Sequence, residues 1–357
     1  MLGRRPAFGV EPQRSGPCVL GAAGSAAPPR PPRRRMMDLE ERITMTLSLP
    51  AKVRIVEVGP RDGLQNEPKY LPTDQKIELV RRLAAAGLTE IEVTSFTHPK
   101  WIPNLADAEE VTRAVADLPI TPFALIPNRR GLDRAMAAGA KGVTLVVSVT
   151  DAHNTANLNR TTEASVTELL ELEAEARQAG LKTRVSLSVV FGCPFDGAVA
   201  PEHVAQIASR FVEAGAPRIG LCDTIGVANP AQVHALSTLM LTRFPNTEFE
   251  LHLHDTRGQA LANTLAGLQA GIRSFDAAVG GLGGCPYAPG ATGNSATEDV
   301  VAMLHAMDVA TDVDPATLLD AAALLADWRD TPLDSAAWRI ARSGGAACGT
   351  PAVRATA

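Results

Sequence analysis

VRIVEVGPRDGLQNEPKYLPTDQKIELVRRLAAAGLTEIEVTS, residues 53–95, reads as a strand, a helix and a second strand. Val53–Val58 is a short β-branched run with the length of a buried strand. Asp74–Ala86 carries Ile77, Leu79, Val80, Leu83 and Ala84 on one helical face, with Thr73 as the expected N-cap and Gly87 as the expected stop. Glu90–Ser95 is the next strand. The unit then recurs along the chain. Further strands are expected at Pro122–Ile126, Gly142–Val149, Arg184–Val190, Arg218–Cys222, Phe249–His254 and Ser274–Ala278, and helical patterns at Ser165–Ala179 and Pro201–Ala214 stop at Gly180 and Gly215. Eight strands, each followed by a helical pattern, are the count and order of an α/β fold of the (β/α)8 TIM-barrel type. A doubly wound open sheet is disfavoured, because no glycine-rich dinucleotide fingerprint follows the first strand.

Working outward, the barrel is expected over residues 51–307, with one or two extra C-terminal helices packed on it over 308–342 and a flexible tail over 343–357. Residues 1–50 are of another kind. The stretch 1–35 is rich in Pro, Gly, Ala and Arg, ends in PPRPPRRR and holds too few apolar side chains to offset the entropy of ordering. Three readings stay open for it: a start codon assigned too early, with Met36, Met37 or Met45 as the true start; a mitochondrial transit peptide; or a solvated, disordered tail.

The composition is that of an ordinary globular protein, with 45% hydrophobic and 20% charged residues in 357. No apolar run reaches the length of a membrane-spanning helix, so no membrane partner is expected. The formal charge of −5 conceals an asymmetry, since residues 1–35 hold seven arginines against the single acid Glu11, leaving about −11 on the rest. An acidic body with only 4% aromatic residues does not suit nucleic acid. Five scattered cysteines without a C-x-x-C pair fit reduced thiols inside a cell.

In a barrel the chemistry lies where strands end. The first strand runs into Gly59-Pro60-Arg61-Asp62-Gly63-Leu64-Gln65, where an Arg beside an Asp could also be a surface ion pair of little energy. On the second strand Glu92 alternates with apolar neighbours and should point into the barrel, where an unpaired carboxylate is costly. Arg61 is the available cation. The sixth strand ends in Cys222-Asp223. The seventh, Leu251-His252-Leu253-His254-Asp255, sets two imidazoles on one face, a metal-binding edge that a carboxylate from another strand would complete. Two separately hydrogen-bonded core histidines fit the same pattern. After the eighth strand, six glycines fall within residues 280–294, implying positive φ angles or close approach to a ligand. Cys285 lies in that loop as a candidate lid thiol, and Asn294 is either a helix N-cap or a site residue.

The motifs VEVGPRDGLQNE, IEVTSFTHPKWIPNLAD, FGCPFDG, CDTIGVANP, LHLHDTRGQALANTLAGLQAG and GGLGGCPYAPGATGNSATEDVV together resemble the 3-hydroxy-3-methylglutaryl-CoA lyase family, from about Val53 to Met307. The resemblance implies cleavage of that thioester to acetyl-CoA and acetoacetate. It also implies metal ligands at Asp62, His252, His254 and Asn294, an arginine for the substrate carbonyl at Arg61 and a loop cysteine at Cys285. Glu92 and Asp223 match carboxylates lining the site, and Gln65 a neighbouring polar residue. Arg61, Asp62, His252 and Cys285 are the catalytic candidates. Oxygen-rich ligation favours Mg2+ or Mn2+ over structural zinc. An acyl-CoA partner, a homodimer and a cytoplasmic location, or the mitochondrial matrix if residues 1–35 are a transit peptide, are further expectations. The chain departs from relatives after the fourth strand, at Asp151 to Ala156, where Asp replaces the usual Glu and a basic pair is missing. A lyase for a related 3-hydroxyacyl-CoA, a Claisen-condensing synthase of the same barrel group and a non-catalytic barrel are the rival readings.

Overall fold

The computed structural model describes residues 49–284 and 293–343. Eight strands run parallel and close on themselves in sequence order: β1 Arg54–Glu57, β2 Glu90–Ser95, β3 Thr121–Ile126, β4 Gly142–Ser148, β5 Lys182–Ser188, β6 Arg218–Asp223, β7 Glu248–Leu253 and β8 Ser274–Ala277. The register sets Asp223 opposite Leu253, His252 opposite Asp276, and Val56 opposite both Asp276 and Glu90. The outer layer comprises α1 Thr73–Ala85, α2 Ala108–Ala114, α3 Arg129–Ala137, α4 Asp151–Leu158, α5 Thr162–Gln178, α6 Pro201–Glu213, α7 Pro230–Arg243, α8 Ala260–Ala270 and α9 Thr297–Ala306. Two more, α10 Pro315–Trp328 and α11 Ala336–Arg342, follow the eighth unit. The barrel and its extra C-terminal helices are those read from the periodicity.

Helix edges follow local chemistry. Gly87, Gly180 and Gly215 all stand at positive φ just beyond the helices they stop. Thr73 is not an N-cap. Helix α1 already begins there, and the Thr73 hydroxyl donates to Asp107 at 2.7 Å instead. Helix α5 starts earlier than the apolar periodicity indicates, because Thr161 caps it by accepting from the Ala164 N–H. The apolar faces seal the space between layers: Leu79, Val80 and Leu83 of α1 are fully buried, and trimming such a leucine to alanine costs roughly 2–5 kcal/mol.

The interior of the barrel is charged rather than aliphatic. Arg184 of β5 bonds Thr144 of β4, Glu250 of β7 and Asp276 of β8, and also meets Glu92 of β2. Inside a dry barrel such charges persist only when paired. Their pairing leaves the C-terminal ends of the strands to carry the remaining polar side chains.

A candidate metal centre at the C-terminal face

Immediately after β1 the chain makes one wide turn. The N–H groups of Arg61, Asp62 and Gly63 converge on the Val58 carbonyl at 3.1, 2.7 and 3.3 Å. Gly59 is required for this approach, since a Cβ there would stand 2.6 Å from a Glu57 carboxylate oxygen. Arg61 and Asp62 are thereby delivered side by side to the barrel mouth, each buried. Arg61 donates from Nε to Glu92 Oε1 at 2.8 Å and from Nη2 to Glu92 Oε2 at 3.3 Å, while Nη1 meets Asp62 Oδ1. The surface-pair alternative is thus corrected: Arg61 is 9% exposed and bidentate to a carboxylate with no exposure at all. Burial works against both charges of the Arg61–Asp62 pair. The neighbouring opposite charges outweigh it, holding the guanidinium protonated and the Asp62 carboxyl well below the usual carboxylate range.

Across the mouth, β7 and the residue after it aim two imidazoles at Asp62. The Nε2 atoms of His252 and His254 lie 3.1 Å apart, and each is 3.8 Å from Asp62 Oδ2. Asp276 of β8 takes His252 Nδ1 at 3.1 Å. With Asp276 as acceptor, Nδ1 carries the hydrogen and Nε2 turns its lone pair into the triangle, which is how metal-bound histidines are oriented. His254 Nδ1 is buried with no hydrogen-bond partner. A proton on one Nε2 can join the two imidazoles, whereas a cation among the three atoms would satisfy both Nε2 lone pairs and the Asp62 oxygen at once. These three side chains therefore fit a divalent cation in a two-His, one-carboxylate arrangement.

Asn294 reaches the same corner. Residues 293–295 run along the end of β7, with Asp255 N–H on the Gly293 carbonyl at 2.8 Å and Ser295 N–H on the Leu253 carbonyl at 3.1 Å. The Asn294 amide donates to Asp62 Oδ2 at 2.8 Å and to the Leu282 carbonyl at 3.1 Å. It is not an N-cap, since α9 begins at Thr297 after Ala296. Gly283, at φ +115°, makes room for it, as a Cβ there would sit 2.8 Å from its amide nitrogen. Gln65 donates to Asp62 Oδ1 at 3.2 Å. Asp223 lies at the same rim but its oxygens accept from the N–H groups of Val227 and Ala228 at 2.9 and 3.1 Å, so it braces the loop after β6. Cys285 lies outside the described residues.

Asp276 and Arg184 are the site residues that the sequence reading missed. Both were inside strands already drawn, at alternating positions that face the barrel axis, and that alternation was the signal available. A cavity of about 620 Å3 opens at the opposite end, lined by Arg54, Thr89, Glu248 and Phe249 at the strand starts. It is remote from this chemistry, and convergence of ligand atoms is the better guide to function than size.

A family model described as HMGL-like matches residues 52–325. The chain is 46% identical over 295 residues to the hydroxymethylglutaryl-CoA lyase YngG of Bacillus subtilis, covering 82% of this chain and 99% of that one. It is 44% identical over 292 residues to the (R)-citramalyl-CoA lyase of Chloroflexus aurantiacus, covering 79% and 91%. Among solved structures, an HMG-CoA lyase of Acinetobacter baumannii in complex with coenzyme A and 3-methylmalate matches with a TM-score of 0.77 at 37% identity, over 84% of this chain and 98% of that one.

Proposed function

The chain belongs to the HMGL-like family, and we propose that it is a carbon–carbon lyase cleaving 3-hydroxy-3-methylglutaryl-CoA to acetyl-CoA and acetoacetate. The observation that carries this reading is the placement of Arg61 beside Asp62, between Glu92 and the paired imidazoles of His252 and His254. The substrate is a tertiary alcohol β to a thioester. Loss of its hydroxyl proton lets the carbon–carbon bond break, giving a ketone and a thioester enolate. Asp62, His252 and His254, with Asn294 beside them, would hold a divalent cation, which when bound would supply Lewis acidity that makes this hydroxyl easier to deprotonate. We read Mg2+ or Mn2+ as the ion. Arg61, aimed by Glu92 through Nε and Nη2, offers its remaining Nη hydrogens to the thioester oxygen as negative charge develops there. Asp62 and His252 are candidates to take the hydroxyl proton, and Cys285 to return one to the departing carbon. Gln65 and Asn294 restrain Asp62, and Asp223 shapes the rim on which an acyl-CoA would lie. A homodimer in the cytoplasm, or in the mitochondrial matrix if residues 1–35 act as a transit peptide, completes the reading.

A second reading is cleavage of a related 3-hydroxyacyl-CoA such as citramalyl-CoA, one methylene shorter. Supporting it are the similarity to a citramalyl-CoA lyase and the unusual segment after β4. There Asn154 closes residues 148–165 into one unit, accepting from Ser148 N–H and donating to Arg160, Thr161 and Ser165. The test is a panel of 3-hydroxyacyl-CoA thioesters supplied with Mg2+ or Mn2+. Acetyl-CoA with acetoacetate supports the first reading and acetyl-CoA with pyruvate the second. If no thioester releases acetyl-CoA, both fail.

A further inference from the structure

Beneath the candidate metal centre lies Arg184, its side chain 1% exposed, in the middle of the closed barrel. Nη1 donates to Asp276 Oδ1 at 2.8 Å and Glu250 Oε1 at 3.0 Å, Nε donates to Thr144 Oγ1 at 2.9 Å, and Nη2 meets Glu92 Oε2. Two of these carboxylates also reach the site itself. The other oxygen of Glu92 holds Arg61 Nε, and the other oxygen of Asp276 holds His252 Nδ1. One guanidinium thus spans the two carboxylates that aim the two unlike halves of the site.

We propose that Arg184 is a positioning residue that holds Arg61 and His252 in one fixed relation, through Glu92 on one side and Asp276 on the other. The proposal rests on the metal-dependent reading above. The forked geometry matters as well as the charge. A guanidinium offers donors in fixed directions in a plane, so one side chain can fix two carboxylates at a set angle. A lysine ammonium at the same place would keep the charge but not the span. Removing charge from this position would leave Glu92, Glu250 and Asp276 crowded in a dry interior, relieved by Arg61 on Glu92, by His252 Nδ1 on Asp276 and by Arg218, whose Nη1 lies 3.7 Å from Glu250. For that reason the informative variant is the one that keeps the charge.

The experiment compares the full-length parent with Arg184→Lys, measuring Mn2+ affinity without substrate, and kcat and KM with the thioester. If Arg184 positions both halves, the folded Arg184→Lys protein binds Mn2+ about 10-fold or more weakly, as loss of an outer hydrogen-bond partner of a ligand commonly does. Its kcat falls by a comparable or larger factor, with KM changing less. A purely structural arginine would lower the melting temperature while leaving both quantities near the parent's. Mn2+ affinity and kcat within about twofold of the parent overturn the proposal. Should Arg184→Lys not fold, Thr144→Val decides in its place, since it removes only the hydroxyl that steadies Nε. Several-fold weaker Mn2+ binding by that variant supports the proposal, and parent-like binding overturns it. Because the Mn2+ measurement needs no substrate, a parent protein inert toward every thioester would fail the functional reading while leaving this test standing.

Discussion

Arg61 shows most directly how burial changes the meaning of a residue pair. As an exposed partner of Asp62 its loss would cost little. Buried and bidentate to Glu92, it is held for a purpose that stability alone does not require. Arg61→Gln should reduce turnover on the order of 100–1000-fold, the usual loss for one donor to a developing oxyanion, with a smaller change in KM. Arg61→Lys should recover part of that loss, since it restores charge without the fork. Both variants should melt at lower temperature than the parent, yet fold, because Arg184 still pairs with Glu92. Steady-state kinetics on the folded variants decide the matter, and an Arg61→Gln enzyme within about tenfold of the parent removes Arg61 from the mechanism. Much at this scale was legible beforehand. An inward carboxylate at Glu92 demanded a cation, and Arg61 supplies one. Alternation along β5 turns Arg184 inward, but its pairing with Glu92 was not legible, since only barrel closure brings that strand to face β2.

At the scale of elements, two buried carboxylates fasten the loops that carry the site. Glu57 Oε1 accepts from Gly59 N–H at 2.7 Å and Val279 N–H at 2.9 Å, tying the turn after β1 to the turn after β8. Glu298 of α9 accepts from Gly280 N–H at 2.9 and 3.0 Å, at the root of the glycine-rich segment. Burial pushes these carboxyls up to about 7 for Glu57 and about 8 for Glu298, against 4.5 when unfolded. A raised acid binds more protons folded than unfolded, so its stabilising contribution is complete below 4.5 and is lost as pH rises through 7 and 8. The urea midpoint of the parent should therefore fall between pH 5 and roughly pH 9. Glu298→Gln, which cannot ionise, should show a shallower fall, and an unchanged slope would count against the account. The strand and helix cores were legible from period and glycine stops, while the caps were not. Thr73 and Asn294 were the right residue types for caps, but each spends its side chain on a distant carboxylate, Asp107 or Asp62. Local chemistry nominates a cap, and tertiary contacts overrule it.

For the molecule as a whole, closure of the sheet is what turns scattered residues into a site. Asp62 follows β1, the imidazoles belong to the end of β7, and Asn294 precedes α9, yet their polar atoms meet at one corner. The order of strands was legible, and with it the rule that chemistry gathers at the C-terminal ends. The pairing of specific atoms was not, because it depends on the stagger that sets His252 opposite Asp276. A site assembled from distant segments binds its ion only when the chain is folded, so the ion must stabilise the fold. At free Mn2+ near 100 times Kd the gain is about 2.7 kcal/mol, which for a domain of this size corresponds to a rise in melting temperature of roughly 5 °C. Treatment with a chelator should abolish thioester cleavage and lower the melting temperature, and added Mg2+ or Mn2+ should restore both. In His254→Ala, where one corner of the triangle is missing, added Mn2+ should shift the melting temperature far less although the barrel still folds. Differential scanning calorimetry across a Mn2+ series, run beside the activity assay, measures both effects. Full activity in the metal-stripped protein, or an equal Mn2+ shift in His254→Ala, would show that Asp62, His252 and His254 do not hold the ion the reaction needs.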